Sequence, residues 1–163
     1  MTNLTDSINF TIIEDTRQQD KKHELKREYF EEMGVKIIRS KLPIGDYANL
    51  RDMSLVIDTK RDIQEVIQNV TKDHERFRAE CVLAQESGIR LVVLIENKQG
   101  VCELSDLKKW YNWRLKKNRY ATTGRQLEKI LRTMTEKYDV TFMFCSPDEA
   151  GFQVLKLLGY PFD

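Results

Sequence analysis

The sequence predicts an α/β fold with a mixed central sheet flanked by helices, and three observations carry that expectation. Two runs, 89–95 and 141–144, are apolar at nearly every position, as in strands covered on both faces. Other segments space their apolar residues three and four apart, the period of an amphipathic helix. Two strand-like runs, 46–50 and 54–60, are separated only by Arg51-Asp52-Met53, which predicts an antiparallel return.

The elements follow in order. Residues 10–14 read as a β-branched strand ending at Asp15-Thr16-Arg17. Leu25, Tyr29 and Met33 recur at helical spacing up to Gly34, a helix-ending residue, and 35–39 resumes strand character, giving a β-α-β start. A Pro43-Ile44-Gly45 turn leads into the two short strands. Ile63, Val66, Ile67 and Val70 mark one helix, and Phe77, Cys81 and Ala84 a second that ends at Gly88. Both fully apolar runs are expected in the sheet centre. Ser105 after Leu104 reads as a helix N-cap, with Leu107, Trp110 and Tyr111 facing the core. Thr123-x-x-Gln126 is a capping box before Leu127, Ile130, Leu131 and Met134, and Ser146-Pro147-Asp148-Glu149 opens a last helix that Gly159 ends.

With 163 residues, 40% hydrophobic and 33% charged, and no linker-like stretch, the chain is expected to form one domain over 1–163. No apolar run approaches the roughly 20 residues of a membrane span, and the first residues lack the pattern of a signal peptide, so a cytoplasmic location is the default expectation. Three widely spaced cysteines and two histidines argue against a disulfide framework and against zinc. No G-x-x-x-x-G-K-[ST] or G-x-G-x-x-G run supports nucleotide chemistry.

The chemistry concentrates in Ser54-Leu55-Val56-Ile57-Asp58-Thr59-Lys60. Side chains alternate along a strand, so Asp58 and Lys60 share one face about 7 Å apart. The antiparallel return brings Asp46 toward Asp58, and two carboxylates then meet an ammonium. That grouping suits phosphodiester hydrolysis, whose anionic transition state needs fixed cations. Two aspartates suit Mg²⁺, a hard ion that keeps several waters. Lys60 can orient or deprotonate the attacking water, or neutralise the phosphorane. The bland reading of Asp46 is a turn residue accepting backbone hydrogen bonds, and that of Asp15 a strand-end cap. Arg76 also fits a residue lying along its helix with Glu80 one turn on as ion-pair partner, and His74 a solvated loop residue.

The formal net charge of +1 hides an uneven distribution: 105–137 holds ten basic and three acidic residues, a local +7 that leaves about −6 elsewhere. Within it, Lys116, Lys117 and Arg119 can neutralise phosphates while Trp113 stacks on an unpaired base; a solvated basic helix with core-facing aromatics is the alternative.

Asp15-x-Arg17, then Leu42-Pro43-x-Gly45-Asp46-Tyr47, Ile57-Asp58-Thr59-Lys60, Arg76-Phe77 and Leu91-Val92-Val93-Leu94-Ile95-Glu96, in that order, resemble the XPF-type nuclease domain, also called excision-repair cross-complementation type, of the PD-(D/E)XK superfamily. The resemblance covers nearly the whole chain and implies a restriction-endonuclease-like mixed sheet. It implies a Mg²⁺- or Mn²⁺-dependent endonuclease cutting branched DNA at flaps, forks or junctions. Asp46 and Asp58 would be metal ligands, the Thr59 carbonyl a third, and Lys60 the catalytic amine. Asp15 would lie near the metal, and Arg17 and Arg76 near the scissile phosphate. It also implies a homodimer paired through the late helices. The family's usual E-R-K is here Asp58-Thr59-Lys60, its later acid is Gln64 with Asp62 and Glu65 as neighbours, and the glutamate after its first arginine is Gln18. The chain ends without a helix-hairpin-helix domain, which resembles the stand-alone versions of phages and mobile elements. Two other readings stay open: a catalytically degenerate nuclease fold serving as a DNA-binding or protein-interaction module, and another superfamily enzyme such as a restriction enzyme or a Holliday junction resolvase.

Overall fold

In a computed structural model, which describes residues 10–18 and 23–163, the β-α-β start is β1 (Thr11–Glu14), α1 (Glu24–Glu32) and β2 (Lys36–Arg39), with the two strands parallel. The chain then doubles back as β3 (Tyr47–Asn49), antiparallel to both β1 and β4 (Asp52–Lys60). Helices α2 (Ile63–Val70) and α3 (His74–Glu86) carry it to β5 (Arg90–Glu96), parallel to β4. Two 3₁₀ turns, Leu104–Lys109 and Trp113–Lys116, precede α4 (Gly124–Tyr138), β6 (Thr141–Cys145) and, after a further 3₁₀ turn, α5 (Ala150–Leu157).

The sheet order is β2-β1-β3-β4-β5-β6, the mixed restriction-endonuclease-like arrangement expected, with β3 the strand that runs against its neighbours. Alternate residues of β4 and β5 feed two cores. Val56, Leu91, Val93 and Ile95 pack with α2, α3 and α4 on one face, while Ile57 and Leu94 pack with α1 and α5 on the other. Covered on both faces, β5 is buried from Leu91 onward, as its continuous apolar run predicts. The parallel strands all point their carboxyl ends the same way, and that end is where an open α/β sheet leaves a crevice.

Three expectations are corrected. First, β6 is an edge strand, paired only with β5 and half-buried over most of its length, so its apolar run does not mark the sheet centre. Second, Leu25 lies outside the buried stripe of α1 at 57% exposure, and Lys26 and Phe30 are buried instead, because Lys26 turns inward to Glu96 at 2.8 Å. Third, the segment after residue 103 is not a basic α-helix. Glu103, not Ser105, caps it, with Asp106 closing a capping box. A 3₁₀ turn repeats every three residues, which buries Leu107 and half-buries Leu104 and Trp110; it ends at Lys109, and Tyr111 beyond it is 58% exposed. Helix α4 does open on the expected Thr123–Gln126 capping box. No helix among the described residues is long and apolar enough to cross a membrane.

At Gly124 a Cβ would come within 2.0 Å of the Leu107 carbonyl oxygen and 2.5 Å of that of Trp110. The start of α4 is therefore pressed onto the first 3₁₀ turn, a carbonyl-lined contact that repels phosphate rather than binding it. Gly124→Ala is expected to cost on the order of 3 kcal/mol by chemical denaturation, since backbone and not a flexible side chain must yield. Cys81 and Cys145 are buried, which pushes both thiols up to about 12, whereas Cys102 is exposed. Native protein at pH 8 is expected to alkylate rapidly at Cys102 alone and at all three cysteines once unfolded; rapid labelling of Cys81 in peptide maps would contradict this packing.

Candidate active site

Gly45 starts the site. Its φ of +74° suits a residue without a Cβ, and a Cβ there would meet the Ile57 carbonyl oxygen at 3.0 Å. This close approach lets the Asp46 N–H donate to the same carbonyl at 2.7 Å, while the Asp15 N–H donates to the Asp46 carbonyl at 2.8 Å. Asp46 is thus stitched between β1 and β4 just before β3 begins. Its Oδ2 accepts from the Thr59 N–H at 2.7 Å and from the Thr59 hydroxyl at 3.0 Å.

Asp58 and Lys60 lie on one face of β4, with Lys60 Nζ 3.0 Å from Asp58 Oδ2 and above the Phe77 ring at 5.7 Å. Burial would pull the Lys60 ammonium down, but Asp58 first, and then Glu65 and Asp46, hold it above its ordinary value, so the amine is a cation here. Asp46 behaves in the opposite sense. Burial and then the Asp58 charge push its carboxyl well above the usual range, against the Thr59 N–H that favours ionisation. A carboxyl raised by its neighbour's charge marks a place short of positive charge.

These groups line a cleft of about 440 Å³ at the carboxyl ends of β1, β4 and β5. Asp15, Arg17, Asp46, Asp58, Thr59, Lys60 and Arg76 all reach it. Lys116, Lys117, Arg119 and Trp113 do not; they stand exposed on the segment before α4. Asp15 is buried, and its carboxylate is fully engaged: Oδ1 accepts from the Leu42 N–H at 2.8 Å, and Oδ2 from the Arg17 N–H at 3.2 Å and Nε at 2.6 Å. Arg17 in turn donates to the Leu42 carbonyl at 3.1 Å. Asp15 is therefore a clamp on the 42–46 turn that also aims Arg17. Arg76 makes no ion pair among the described residues: the alternative pairing with Glu80 is not closed to salt-bridge distance, and both side chains face the cleft, where the Arg76 charge still acts on Glu80.

Sequence reasoning missed two contributors, Glu80 and Glu96, and one role of a third, the Thr59 hydroxyl. Glu80 adds a third carboxyl to the cleft, raised by burial and by the Asp58 charge; the helical period that brings Arg76 to the cleft also brings the residue four further on. Glu96, at the end of β5, lines the cleft while paired to buried Lys26, and no local pattern announces a lysine turned into the core. Thr59 stands where a basic residue is usual, and its hydroxyl secures Asp46. Of the acids considered near Gln64, Asp62 caps α2 by accepting from the Glu65 N–H at 2.8 Å, and Glu65 lines the cleft. Gln64 points elsewhere, donating from Nε2 to Asn112 Oδ1 at 2.8 Å.

The donor set fits a hard divalent cation. Asp58 Oδ2 is buried without a well-directed hydrogen bond, Asp46 faces it, and the cleft is open to water. Among the described residues no three His, Cys, Asp or Glu side chains group tightly enough to hold a metal alone. Two carboxylates with water and phosphate oxygens completing the shell is, however, a usual arrangement for Mg²⁺.

A family model for the ERCC4 domain matches residues 14–158. The chain belongs to the ERCC4 domain family. Among solved structures, XPF from Aeropyrum pernix matches with a TM-score of 0.65 at 17% identity, covering 91% of this chain and 63% of that one. The same archaeal protein in complex with DNA matches with a TM-score of 0.64 at 16% identity and the same coverage. This ERCC4 chain thus spans about 63% of the length of the structures it resembles, and shares their fold. No curated protein sequence matches it.

Removing the Asp15 clamp is expected to destabilise the ERCC4 chain. Asp15→Ala should cost about 1–3 kcal/mol in denaturant unfolding, because buried donors lose a charged acceptor. The bonds from Arg17 and Leu42 hold the Asp15 carboxyl below its ordinary range despite burial. The difference between wild type and variant should therefore be full above an unfolded-state pKa of about 3.9 and shrink as pH falls through the lower folded value.

Proposed function

We propose that this chain is a metal-dependent DNA endonuclease that hydrolyses phosphodiester bonds in branched DNA such as flaps, forks or junctions. The observation that carries the reading is the meeting of Asp46, Asp58 and Lys60 in one cleft, with Arg17 and Arg76 beside them. Asp46 and Asp58, with the Thr59 carbonyl as a third donor, would hold Mg²⁺ or Mn²⁺, which when bound supplies a Lewis acid and an activated water. Lys60, held as an ammonium, faces the charge that accumulates on the phosphate as the nucleophile adds. Arg17 is pre-aimed by Asp15, and Arg76, which makes no ion pair among the described residues, faces the same cleft with donors suited to phosphate oxygens. Pairing into a homodimer through the late helices extends the reading, and light scattering measures it directly.

The experiment is cleavage of labelled flap, fork and four-way substrates by wild-type protein with Mg²⁺ or Mn²⁺. Cutting is expected with either ion and none in EDTA, and Asp58→Asn should slow it ~100-fold or more while DNA affinity changes little. Equal inertness of wild type and variant on branched and linear DNA in both ions would sink the enzyme reading.

One feature favours a second reading, a degenerate nuclease fold that binds DNA without cutting it: Gln64 replaces an acid and is turned away to Asn112. That reading expects salt-sensitive DNA binding indifferent to Mg²⁺. A resolvase would instead make symmetric paired nicks in a four-way junction.

A further inference from the structure

The segment between the first 3₁₀ turn and α4 is a built loop, not a loose connection. Its base is Asn112, 1% exposed, whose Nδ2 donates to the Thr122 carbonyl at 2.8 Å and closes the loop end to end. Asn112 Oδ1 accepts from the Arg114 N–H at 3.0 Å and from Gln64 Nε2 at 2.8 Å. Inside, the Asn118 N–H donates to the Arg114 carbonyl at 2.9 Å, Asn118 Oδ1 accepts from the Tyr120 N–H at 2.9 Å, and the Ala121 N–H donates to the Asn118 carbonyl at 3.1 Å. A loop whose ends meet and whose polar groups bond one another holds one shape.

That shape puts large rings into water. Trp113 is 55% exposed and Tyr120 80%, the highest value among the exposed large hydrophobic side chains. Arg114 lies over the Trp113 ring at 5.5 Å and Arg119 over the Tyr120 ring at 4.9 Å, with Lys116 and Lys117 exposed between them. Two large rings and four cations on one ordered loop mark it as a surface that a partner can cover. The cover must be flat, to stack, and anionic, to match the cations around each ring. An unpaired nucleic-acid strand is both, since bases stack on aromatic side chains in a sequence-tolerant way while phosphates meet the lysines. A duplex offers its phosphates but keeps its bases inside.

We propose that residues 112–122 form a binding platform for a single-stranded DNA segment, with Trp113 and Tyr120 as the stacking rings, and that Gln64 fixes it relative to the cleft. The tether is short: Gln64 lies in the first turn of α2, four residues after Lys60. A strand seated on the rings is thereby held in register with the carboxylates. The platform deepens the nuclease reading by naming the unpaired arm of a branched substrate as what is recognised.

The test measures binding in EDTA, where cutting plays no part, using fluorescence anisotropy of a labelled twelve-nucleotide oligo-dT, a blunt duplex and a fork of the same duplex. The double variant Trp113→Ala/Tyr120→Ala should bind oligo-dT and the fork about tenfold more weakly, with duplex affinity unchanged. Lys116→Gln/Lys117→Gln should weaken all three ligands and flatten their salt dependence. Gln64→Ala keeps the rings but cuts the tether, so it should retain oligo-dT affinity and lose the preference for fork over duplex. Near-ultraviolet circular dichroism checks that each variant is folded. Equal loss on duplex and oligo-dT in the ring variant, or no binding of oligo-dT by wild type, overturns the platform. So does light scattering that shows the rings closing a dimer which the ring variant dissolves. Fork preference intact in Gln64→Ala overturns the tether. Failure of the nuclease reading shows separately, as wild type that binds the fork in EDTA and never cuts it in Mg²⁺.

Discussion

The constraint on which the rest of the structure depends is the confrontation of Asp46, at the entry to β3, with Asp58 on β4, two largely buried carboxyls at the floor of one cleft. Burial and the Asp58 charge both oppose ionisation of Asp46, and they outweigh the Thr59 N–H and the Lys60 ammonium, which favour it. Such a pair is costly unless a cation is drawn in, and that cost is the physical basis of the metal site proposed above. Phosphodiester chemistry uses the same property, because an anionic substrate approaches an acidic site only when positive charge is fixed there.

The fold holds this confrontation in place from three sides. Gly45 gives the turn a backbone shape that brings Asp46 onto the Ile57 carbonyl, and Thr59 bonds the carboxylate from the opposing strand through both its N–H and its hydroxyl. Asp15 clamps the same turn through Leu42 and aims Arg17 with its other oxygen. The parallel strands collect these groups at one end of the sheet. The buried pair Lys26 with Glu96 and the half-buried pair Arg27 with Glu14 tie α1 to β5 and β1.

Much of this was legible in the residues. Alternation along 54–60 put Asp58 and Lys60 on one face, and the antiparallel return brought Asp46 alongside, although its turn is Leu50-Arg51 and β4 already begins at Asp52 rather than after Met53. The misreadings share a cause: local periodicity is blind to tertiary partners. Lys26 looks like a solvent residue until Glu96 is placed opposite it. Tyr111 looks like a core residue until the 3₁₀ turn proves to end at Lys109, which leaves Tyr111 in the extended chain beyond it and exposed. The run 141–144 looks central because an edge strand packed by helices is nearly as apolar as an inner one. The Thr59 side chain counted only as the loss of a basic residue, beside the carbonyl expected to reach the metal, since its gain, a hydroxyl bond to Asp46, depends on a turn residue thirteen positions earlier.

The most direct measurement of the central claim is an anomalous difference map from a crystal soaked in Mn²⁺, collected for wild type and for Asp58→Asn. The account expects a peak between the Asp46 and Asp58 carboxylates in the wild type and none in the variant. A wild-type map with no peak there, and with Asp58 bonded only to Lys60, would contradict it.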